Sequence, residues 1–160
     1  MTSRTWLLCL AGAGLLSPSR HVTCDPRFLG TWEYRQAAGP GFDAEGERLV
    51  LSCRSGSMYG LYFGLERAGE HGLFYTLVEM QALKITPDSA LAFMVGERDL
   101  FSERPRSLDD IRQKKVPWAG VTRDTLVMRG GLEQGNLVLT CTSTVHLCPD
   151  KVMIFHKGSW

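Results

Sequence analysis

The chain has 160 residues, of which 44% are hydrophobic and 22% are charged, and its formal net charge at pH 7 is +1. This length predicts one domain that can bury a sizeable core without help from a metal. The near-neutral charge argues against binding to nucleic acid or to an anionic membrane through bulk electrostatics.

Residues Met1–Ser19 are typical of a secretory signal peptide. Arg4 is their only charge, Trp6–Leu16 is an apolar run of 11 residues, and Ser17-Pro18-Ser19 places small residues at a cleavage site. A retained anchor is the alternative, but spanning a bilayer takes roughly 20 apolar residues. We therefore predict export to the periplasm or the extracellular space, with residues 20–160 as the mature domain and no integral membrane segment after cleavage.

The cysteines that remain after this cleavage predict disulfides. Their number is even, as expected of a protein in an oxidising compartment, and three connectivities are possible. We favour Cys24–Cys53, which would fix the N-terminal arm to the first long strand, and Cys141–Cys148, which would close a short loop. The pairing Cys53–Cys141 stays open. No zinc-type spacing of Cys and His is present, so we predict no metal site.

The first half of the mature chain has the alternating pattern of β-strands. Phe28–Gln36 combines a turn with a strand in which Trp32 alternates with charged residues, and Trp32 is expected in the core at the base of a barrel. Glu47–Arg54 is a second strand. Two aromatic-rich runs, Met58–Leu65 and Leu73–Met80, flank a polar centre and predict a long β-hairpin, with Glu66–Gly72 as its solvated turn.

The second half predicts further strands and one short helix. Leu108–Lys115 follows Ser107, which begins a capping box, and Pro117 ends the helix. The turn residues Gly130-Gly131 and Gln134-Gly135 are expected between two of the later strands. The predicted strands are Ala82–Thr86, Ala90–Val95, Thr122–Arg129, Asn136–Thr142 and Lys151–His156.

These elements predict an all-β fold. No long helices separate the strands, so the sheet must be antiparallel, and the expected architecture is a β-barrel (or a sandwich) of about eight to nine strands. We favour the barrel because closure removes exposed sheet edges.

The sequence gives little support for catalysis. A nucleophile elbow needs glycine two residues on either side of the serine, whereas Ser57 has Gly56 and Gly60 and no helix after it. Glu70 and His71 are adjacent, so on a strand they would point to opposite faces and could not share one metal ion. We predict a non-enzymatic protein without a cofactor.

Leu29-Gly30-Thr31-Trp32 resembles the Gly-x-Trp opening of lipocalin-like barrels. In that family the tryptophan closes one end of the barrel, and the other end holds a small apolar ligand. The resemblance covers these four residues only. It implies a carrier of a small hydrophobic molecule.

Ser55-Gly56-Ser57-Met58-Tyr59 resembles the Ser-Gly-x-x-Tyr loop of bacterial periplasmic lysozyme inhibitors. Those proteins are small exported barrels whose loop enters the lysozyme cleft and hydrogen-bonds to the catalytic carboxylates. A Lys-Gly pair follows in the family, and Arg67-Ala68-Gly69 stands near that place here. The resemblance implies a partner-binding site made by Ser55, Gly56, Tyr59 and Arg67.

The sequence thus favours an exported binding module. Its expected partner is a lysozyme-like glycosidase bound by the Ser55–Tyr59 loop. The alternatives are a lipocalin-like barrel that carries a small apolar ligand and, from its serines, histidines and acids alone, a hydrolase.

Overall fold

The computed structural model describes residues 24–34, 46–67, 72–86, 88–143, 148 and 150–158. The predicted signal peptide 1–19 lies outside these ranges, as do residues 68–71 of the predicted hairpin turn. In the described ranges no helix is long and apolar enough to cross a membrane.

The described chain forms eleven strands and one short helix. In chain order they are β1 Gly30–Tyr34, β2 Glu47–Arg54, β3 Ser57–Arg67, β4 Leu73–Glu79, β5 Gln81–Ile85, β6 Leu91–Val95, β7 Arg98–Phe101, α1 Leu108–Arg112, β8 Trp118–Thr122, β9 Leu126–Glu133, β10 Asn136–Ser143 and β11 Val152–Lys157.

The strands alternate between buried and solvent-facing positions, as the sequence pattern predicts. In β10, Leu137, Leu139 and Cys141 are buried while the residues between them are not. In β2 the buried set is Glu47, Leu49 and Leu51. All recorded strand pairs are antiparallel, which confirms the predicted all-β, antiparallel class.

The strand order forces the sheet to curl. It runs β5-β6-β9-β10-β11-β1-β2-β3-β4-β7-β8, so β5 and β4 stand first and ninth in it. In a flat sheet they would lie about 38 Å apart, at about 4.8 Å per strand. Only Met80 separates β4 from β5, and two Cα–Cα steps reach at most about 7.6 Å. The sheet therefore bends round into a half-barrel, and the Met80 N–H donates to Gly60 O of β3 at 2.9 Å.

The prediction of eight to nine strands was too low. The predicted strands Leu73–Met80 and Ala82–Thr86 correspond to β4 and β5, and the two strands that were missed are β7 and β8. β7 and β8 form a pair in a segment for which the sequence indicated only the helix.

Two boundaries also differ from the prediction. The helix ends at Arg112 and not at Lys115, because the chain turns at Gln113–Lys114, where Lys114 has a φ of 53°. Gly130 and Gly131 lie within β9, and the turn is made by Gln134-Gly135 alone. A Cβ on Gly130 would meet Val138 O at 1.8 Å, so this glycine serves close strand packing and not a turn.

The base of the half-barrel is the end where β1 begins and β2 finishes. Trp32 is 2% exposed there, and its indole N–H donates to Phe28 O at 2.8 Å. Lys157 Nζ lies 4.2 Å from the centroid of the Trp32 ring and donates to Leu29 O at 2.6 Å. The Cys24–Cys53 disulfide ties the N-terminal arm to β2 at this end, as predicted.

Large apolar side chains fill the interior above the base. Those with no exposed surface come from five strands: Leu49, Leu91, Val95, Met128, Leu137, Leu139, Met153 and Phe155. A void large enough for water or a ligand would expose the side chains that line it. These residues therefore form a packed core.

Candidate functional site

Ionisable side chains gather at the end of the half-barrel opposite the base. Antiparallel pairing brings the last residue of β1, the first residue of β2 and the last residues of β3 to this end. The starts of β7 and β11 meet them there. We call the group the polar cluster; it consists of Tyr34, Glu47, Tyr62, Glu66, Arg98 and Asp150.

Glu47 lies at the centre of the polar cluster. It is 3% exposed because it shares the inward face of β2 with Leu49 and Leu51. The Tyr62 hydroxyl hydrogen-bonds to its carboxyl group. Burial raises the pKa of Glu47 to about 8, against the opposing effects of Tyr62 and Arg98. At neutral pH this carboxyl is therefore mostly protonated and uncharged.

Gly64 makes room for this arrangement. A Cβ at Gly64 would meet Tyr62 Cε1 at 2.5 Å and Thr76 Cγ2 at 2.9 Å. The Tyr62 ring therefore lies across the position that a side chain of residue 64 would occupy. Burial raises the pKa of the Tyr62 hydroxyl well above its usual value, and the adjacent Glu47 adds to that effect.

Arg98 is the one guanidinium in the polar cluster, and its two terminal nitrogens bind three partners. Its Nη1 donates to Gly96 O at 3.1 Å and to Asp124 O at 2.9 Å. Its Nη2 forms an ion pair with Glu66 Oε1. Burial nevertheless raises the pKa of Glu66, with Arg98 opposing the shift and the Asp124 carboxylate adding to it. Asp124 itself accepts a hydrogen bond from Ser143 Oγ at 2.6 Å.

Asp150 forms the outer rim of the cluster. It is exposed, and its Oδ2 accepts a hydrogen bond from the Tyr34 hydroxyl. Burial raises the pKa of Tyr34, and the negative charge of Asp150 adds to the effect. The same charge also contributes to the raised pKa of Glu47. The cluster therefore runs from an exposed carboxylate inward to a buried carboxylic acid.

Three buried polar atoms in this region have no hydrogen-bond partner among the described residues: Glu47 Oε2, Arg98 Nε and Thr76 Oγ1. Thr76 pairs with Gly64 in the register of β3 and β4, on the inward face. The cluster thus offers free hydrogen-bonding atoms of both kinds, donors and acceptors.

The predicted loop Ser55–Tyr59 lies at the base end, away from the polar cluster. Ser55 and Gly56 have φ of 50° and 78°, and they form the two-residue turn between β2 and β3. Positive φ at both central residues is the requirement of a type I′ hairpin turn. Tyr59 is part of β3; its ring lies 3.5 Å from the Arg54 guanidinium, and its hydroxyl donates to Glu79 Oε1 at 3.1 Å.

Arg67 is not brought to this loop. It is the last residue of β3, eight positions beyond Tyr59, and at about 3.3 Å per residue that places its backbone about 26 Å away. The structure therefore joins Ser55, Gly56 and Tyr59 at one end of the strand and leaves Arg67 at the other.

The described serines and histidine do not form a catalytic pair. Ser55 and Ser57 lie at the base end, while His156 is on β11 and its Nδ1 is 2.9 Å from Asn136 Oδ1. No group of three or more His, Cys, Asp or Glu side chains that could hold a metal ion occurs in the described ranges. The predicted residues Glu70 and His71 lie outside them.

The sequence contained a signal for the polar cluster that our prediction did not use. Strict alternation places Glu47 in phase with Leu49 and Leu51, so a charged residue occupies an inward position. Glu66 is likewise in phase with Tyr62. The sequence predicts Glu66 in a solvated turn, but β3 continues through this residue.

The second disulfide, Cys141–Cys148, lies at the same end as the polar cluster and matches the prediction. No protein-family model matches the sequence, and no curated protein or solved structure matches it. The function is therefore to be inferred from the chemistry of the polar cluster and of the exposed hairpin turn.

Proposed function

We propose that the protein is an exported, non-enzymatic binding protein that takes up a small polar ligand at the polar cluster. The observation that carries this proposal is the set of three buried polar atoms without partners among the described residues, on Glu47, Thr76 and Arg98. Each such atom costs about 1–3 kcal/mol when it is left unpaired. A ligand with hydrogen-bonding groups would remove that cost.

Because the interior is packed, a binding site at the polar end is favoured, and a ligand cavity inside the half-barrel is not. A carrier of a small apolar ligand needs a cavity of roughly 300–1,000 Å³ lined by apolar side chains. The core side chains here have no surface open to solvent, as Leu49, Leu137 and Phe155 illustrate.

Binding is favoured over hydrolysis because catalysis needs a nucleophile or general base beside the general acid. Glu47 has the raised pKa of a general acid, but the Tyr62 hydroxyl that hydrogen-bonds to it has a pKa raised well above its usual value and is therefore hard to activate as a nucleophile. Export is supported by the two disulfides, which persist in oxidising compartments.

The test is an NMR titration of the oxidised protein with a panel of small amines, carboxylates and polyols. We expect at least one member to shift the backbone amide signals of Glu47, Tyr62 and Arg98 while those of Trp32 and Leu51 at the base stay unchanged. A panel that moves none of the cluster signals would refute the proposal. Shifts centred on the core after addition of a fatty acid would favour the apolar carrier instead.

A second function, inhibition of a lysozyme-like glycosidase, is favoured by one observation on the hairpin turn. Ser55, Gly56 and Ser57 are exposed at its tip, so among the described residues nothing shields the Ser55 and Ser57 hydroxyl groups from solvent. The Tyr59 hydroxyl is bound to Glu79 and would have to exchange that bond for one to the enzyme.

Inhibition of several lysozyme types by the purified protein tests this second function. If the loop carries it, Ser55→Ala with Tyr59→Phe should weaken inhibition by about thirtyfold, because losing an interface hot spot costs about 2 kcal/mol or more. Ser89→Ala is the matched control, since Ser89 is an exposed serine at another turn with positive φ. Absence of inhibition at micromolar protein would remove this function.

A further inference from the structure

The polar cluster carries an excess of carboxyl groups over cations. Four carboxyls influence one another around Arg98: Glu47, Glu66 and Asp150 of the cluster and Asp124 beside it. With Glu47 uncharged, the three other carboxylates against Arg98 and Arg104, whose Nη2 donates to Gly46 O next to Glu47, leave a formal charge of −1. This imbalance disfavours an anionic ligand and favours a cationic one.

Besides Arg98 Nε and Thr76 Oγ1, which are buried without partners among the described residues, the donors of the cluster are used, and one acceptor is left over. Both terminal nitrogens of Arg98 are engaged, and the Tyr34 and Tyr62 hydroxyls already bond to carboxyl groups. Glu47 Oε2 is buried and has no partner among the described residues. A ligand that donates an N–H to this oxygen would satisfy it with a charge-assisted bond once Glu47 ionises.

From these observations we infer that the ligand of the polar cluster is an organic cation whose guanidinium or ammonium group binds between Asp150 and the carboxyl of Glu47. This inference rests on the proposed function and adds the class of ligand. A metal ion is the poorer fit, because the described carboxyls do not converge on a common point. A guanidinium or an alkylammonium can instead contact groups that lie several ångströms apart.

Binding of such a cation is coupled to the loss of a proton. The groups that face Glu47 are Tyr34 of β1, Tyr62 and Glu66 of β3, Arg98 of β7 and Asp150 before β11. Of these, Glu66 and Asp150 raise the pKa of Glu47, whereas Arg98 and Tyr62 lower it. A bound cation would act with Arg98 and favour the carboxylate.

The expected pH dependence follows from the pKa of about 8 for Glu47. If the cation binds only the ionised form, its apparent affinity scales with the fraction of Glu47 that is ionised. That fraction rises about tenfold between pH 7 and pH 9. The affinity should therefore rise about tenfold over the same interval.

Three probes of similar shape test the charge requirement: butylguanidinium, the neutral butylurea and the anion pentanoate. Each is titrated into the oxidised full chain by calorimetry and NMR at pH 7 and pH 9. We expect butylguanidinium to shift the signals of Glu47 and Tyr62 and to bind about tenfold more tightly at pH 9, following the ionised fraction. Butylurea and pentanoate should bind at least tenfold more weakly at pH 9.

Two variants and a control variant test which carboxyl groups bind the cation. Glu47→Gln, which cannot ionise, should abolish the pH dependence and weaken binding at pH 9 by more than tenfold. Asp150→Asn, which changes an exposed residue and so leaves the core intact, should weaken binding severalfold at pH 9. At pH 7 the loss should be smaller, because removing this charge also lowers the pKa of Glu47. Glu79→Gln removes one carboxylate from the outer surface and should leave binding unchanged.

Three other outcomes would each contradict one part of the proposal: the ligand class, the coupling to Glu47 or the site itself. If butylurea or pentanoate binds the cluster as tightly as butylguanidinium, the cationic ligand class is wrong and the site itself stands. If butylguanidinium binds equally at pH 7 and pH 9, the coupling to Glu47 is wrong. If neither these probes nor any compound of the wider panel shifts the cluster signals, the proposed function fails with the inference.

Discussion

The two ends of the half-barrel differ in the side chains that the same strands place in the interior: they are apolar near the base and ionisable at the other end. Near the base, the inward positions of β1 and β2 hold Trp32, Leu49 and Leu51, which pack without exposed surface or with very little. At the other end, the inward positions of β2 and β3 hold Glu47 and Glu66. Burial of apolar side chains stabilises the base, whereas each buried carboxyl lowers stability unless it is neutral or paired.

The polar end therefore departs from the apolar pattern that stabilises the base. An apolar residue in place of Glu47 would satisfy the alternation of β2 and would avoid an unpaired buried oxygen. The fold instead supports an acid there with Tyr62 and a glycine that makes room for the tyrosine ring. Local violations of the packing pattern are expected at functional sites.

The largest expected effect belongs to the base. Trp32→Ala should lower the free energy of unfolding by about 3–5 kcal/mol, the usual cost of deleting a core aromatic ring. Trp118→Ala is the matched control, because Trp118 is 65% exposed, and it should change stability by less than about 1 kcal/mol. Urea denaturation of both variants measures the difference. Equal effects would mean that the base is not the main apolar core.

At the polar end, a comparable effect should follow from breaking the buried ion pair. Arg98→Met leaves Glu66 without its cation and should cost about 3–5 kcal/mol. Arg129→Met is the control, because the Arg129–Asp88 pair is 63% exposed on both sides and should contribute about 1 kcal/mol or less. The double variant Glu66→Gln with Arg98→Met should recover part of the loss. Similar values for the two single variants would contradict the structural role of Arg98.

The two disulfides allow a direct comparison of the ends. Cys24–Cys53 spans 29 positions and Cys141–Cys148 spans 7. In the chain-entropy model these loops correspond to about 3.5 and about 2.5 kcal/mol. Replacing each pair by serines should therefore destabilise the base variant more, by about 1 kcal/mol in thermal or urea unfolding. The reverse order would indicate that loop-closure entropy is not the main source of the stabilisation by these two disulfides.

The all-β class, the antiparallel pairing and both disulfides could be predicted from the sequence because they depend on local signals. Alternation, turn residues and the short Cys141–Cys148 spacing are visible over a few positions, whereas Cys24–Cys53 was favoured with Cys53–Cys141 left open. The β7–β8 pair was missed because β7 is four residues long and its neighbour β8 lies beyond the helix. A strand that short has too few positions for an alternating pattern to stand out.

The polar cluster could not be predicted because it is assembled by strand register. Tyr34, Glu47 and Asp150 are far apart in sequence and meet only when β1 is paired on one side with β2 and on the other with β11. The sequence did show an acid in phase with the buried leucines of β2. It could not show that Tyr62, from the next strand, would reach the carboxyl group, since that depends on the empty side-chain position at Gly64.

A change of stability with pH isolates the polar end. The usual pKa of a glutamate carboxyl is 4.5, and that of Glu47 in the folded protein is about 8. Between these values the folded state holds a proton that the unfolded state has lost. The free energy of unfolding should therefore fall as the pH rises from about 5 to about 8, by at most about 1.4 kcal/mol per pH unit from this group. The raised pKa of Glu66 acts in the same direction.

Glu47→Gln keeps the shape of the neutral acid and cannot ionise, so it should remove the contribution of Glu47 to this slope. The variant should match the parent protein near pH 5 and be the more stable of the two near pH 8, which is unusual for a substitution in a buried position. Glu79→Gln, in which an exposed carboxyl on β4 is changed in the same way, should follow the parent protein throughout. Urea unfolding at pH 5, 6.5 and 8 measures all three proteins. Parallel curves for Glu47→Gln and the parent would mean that Glu47 is ionised in the folded state, and the polar end would then contain a buried negative charge that its described neighbours balance only through Arg98.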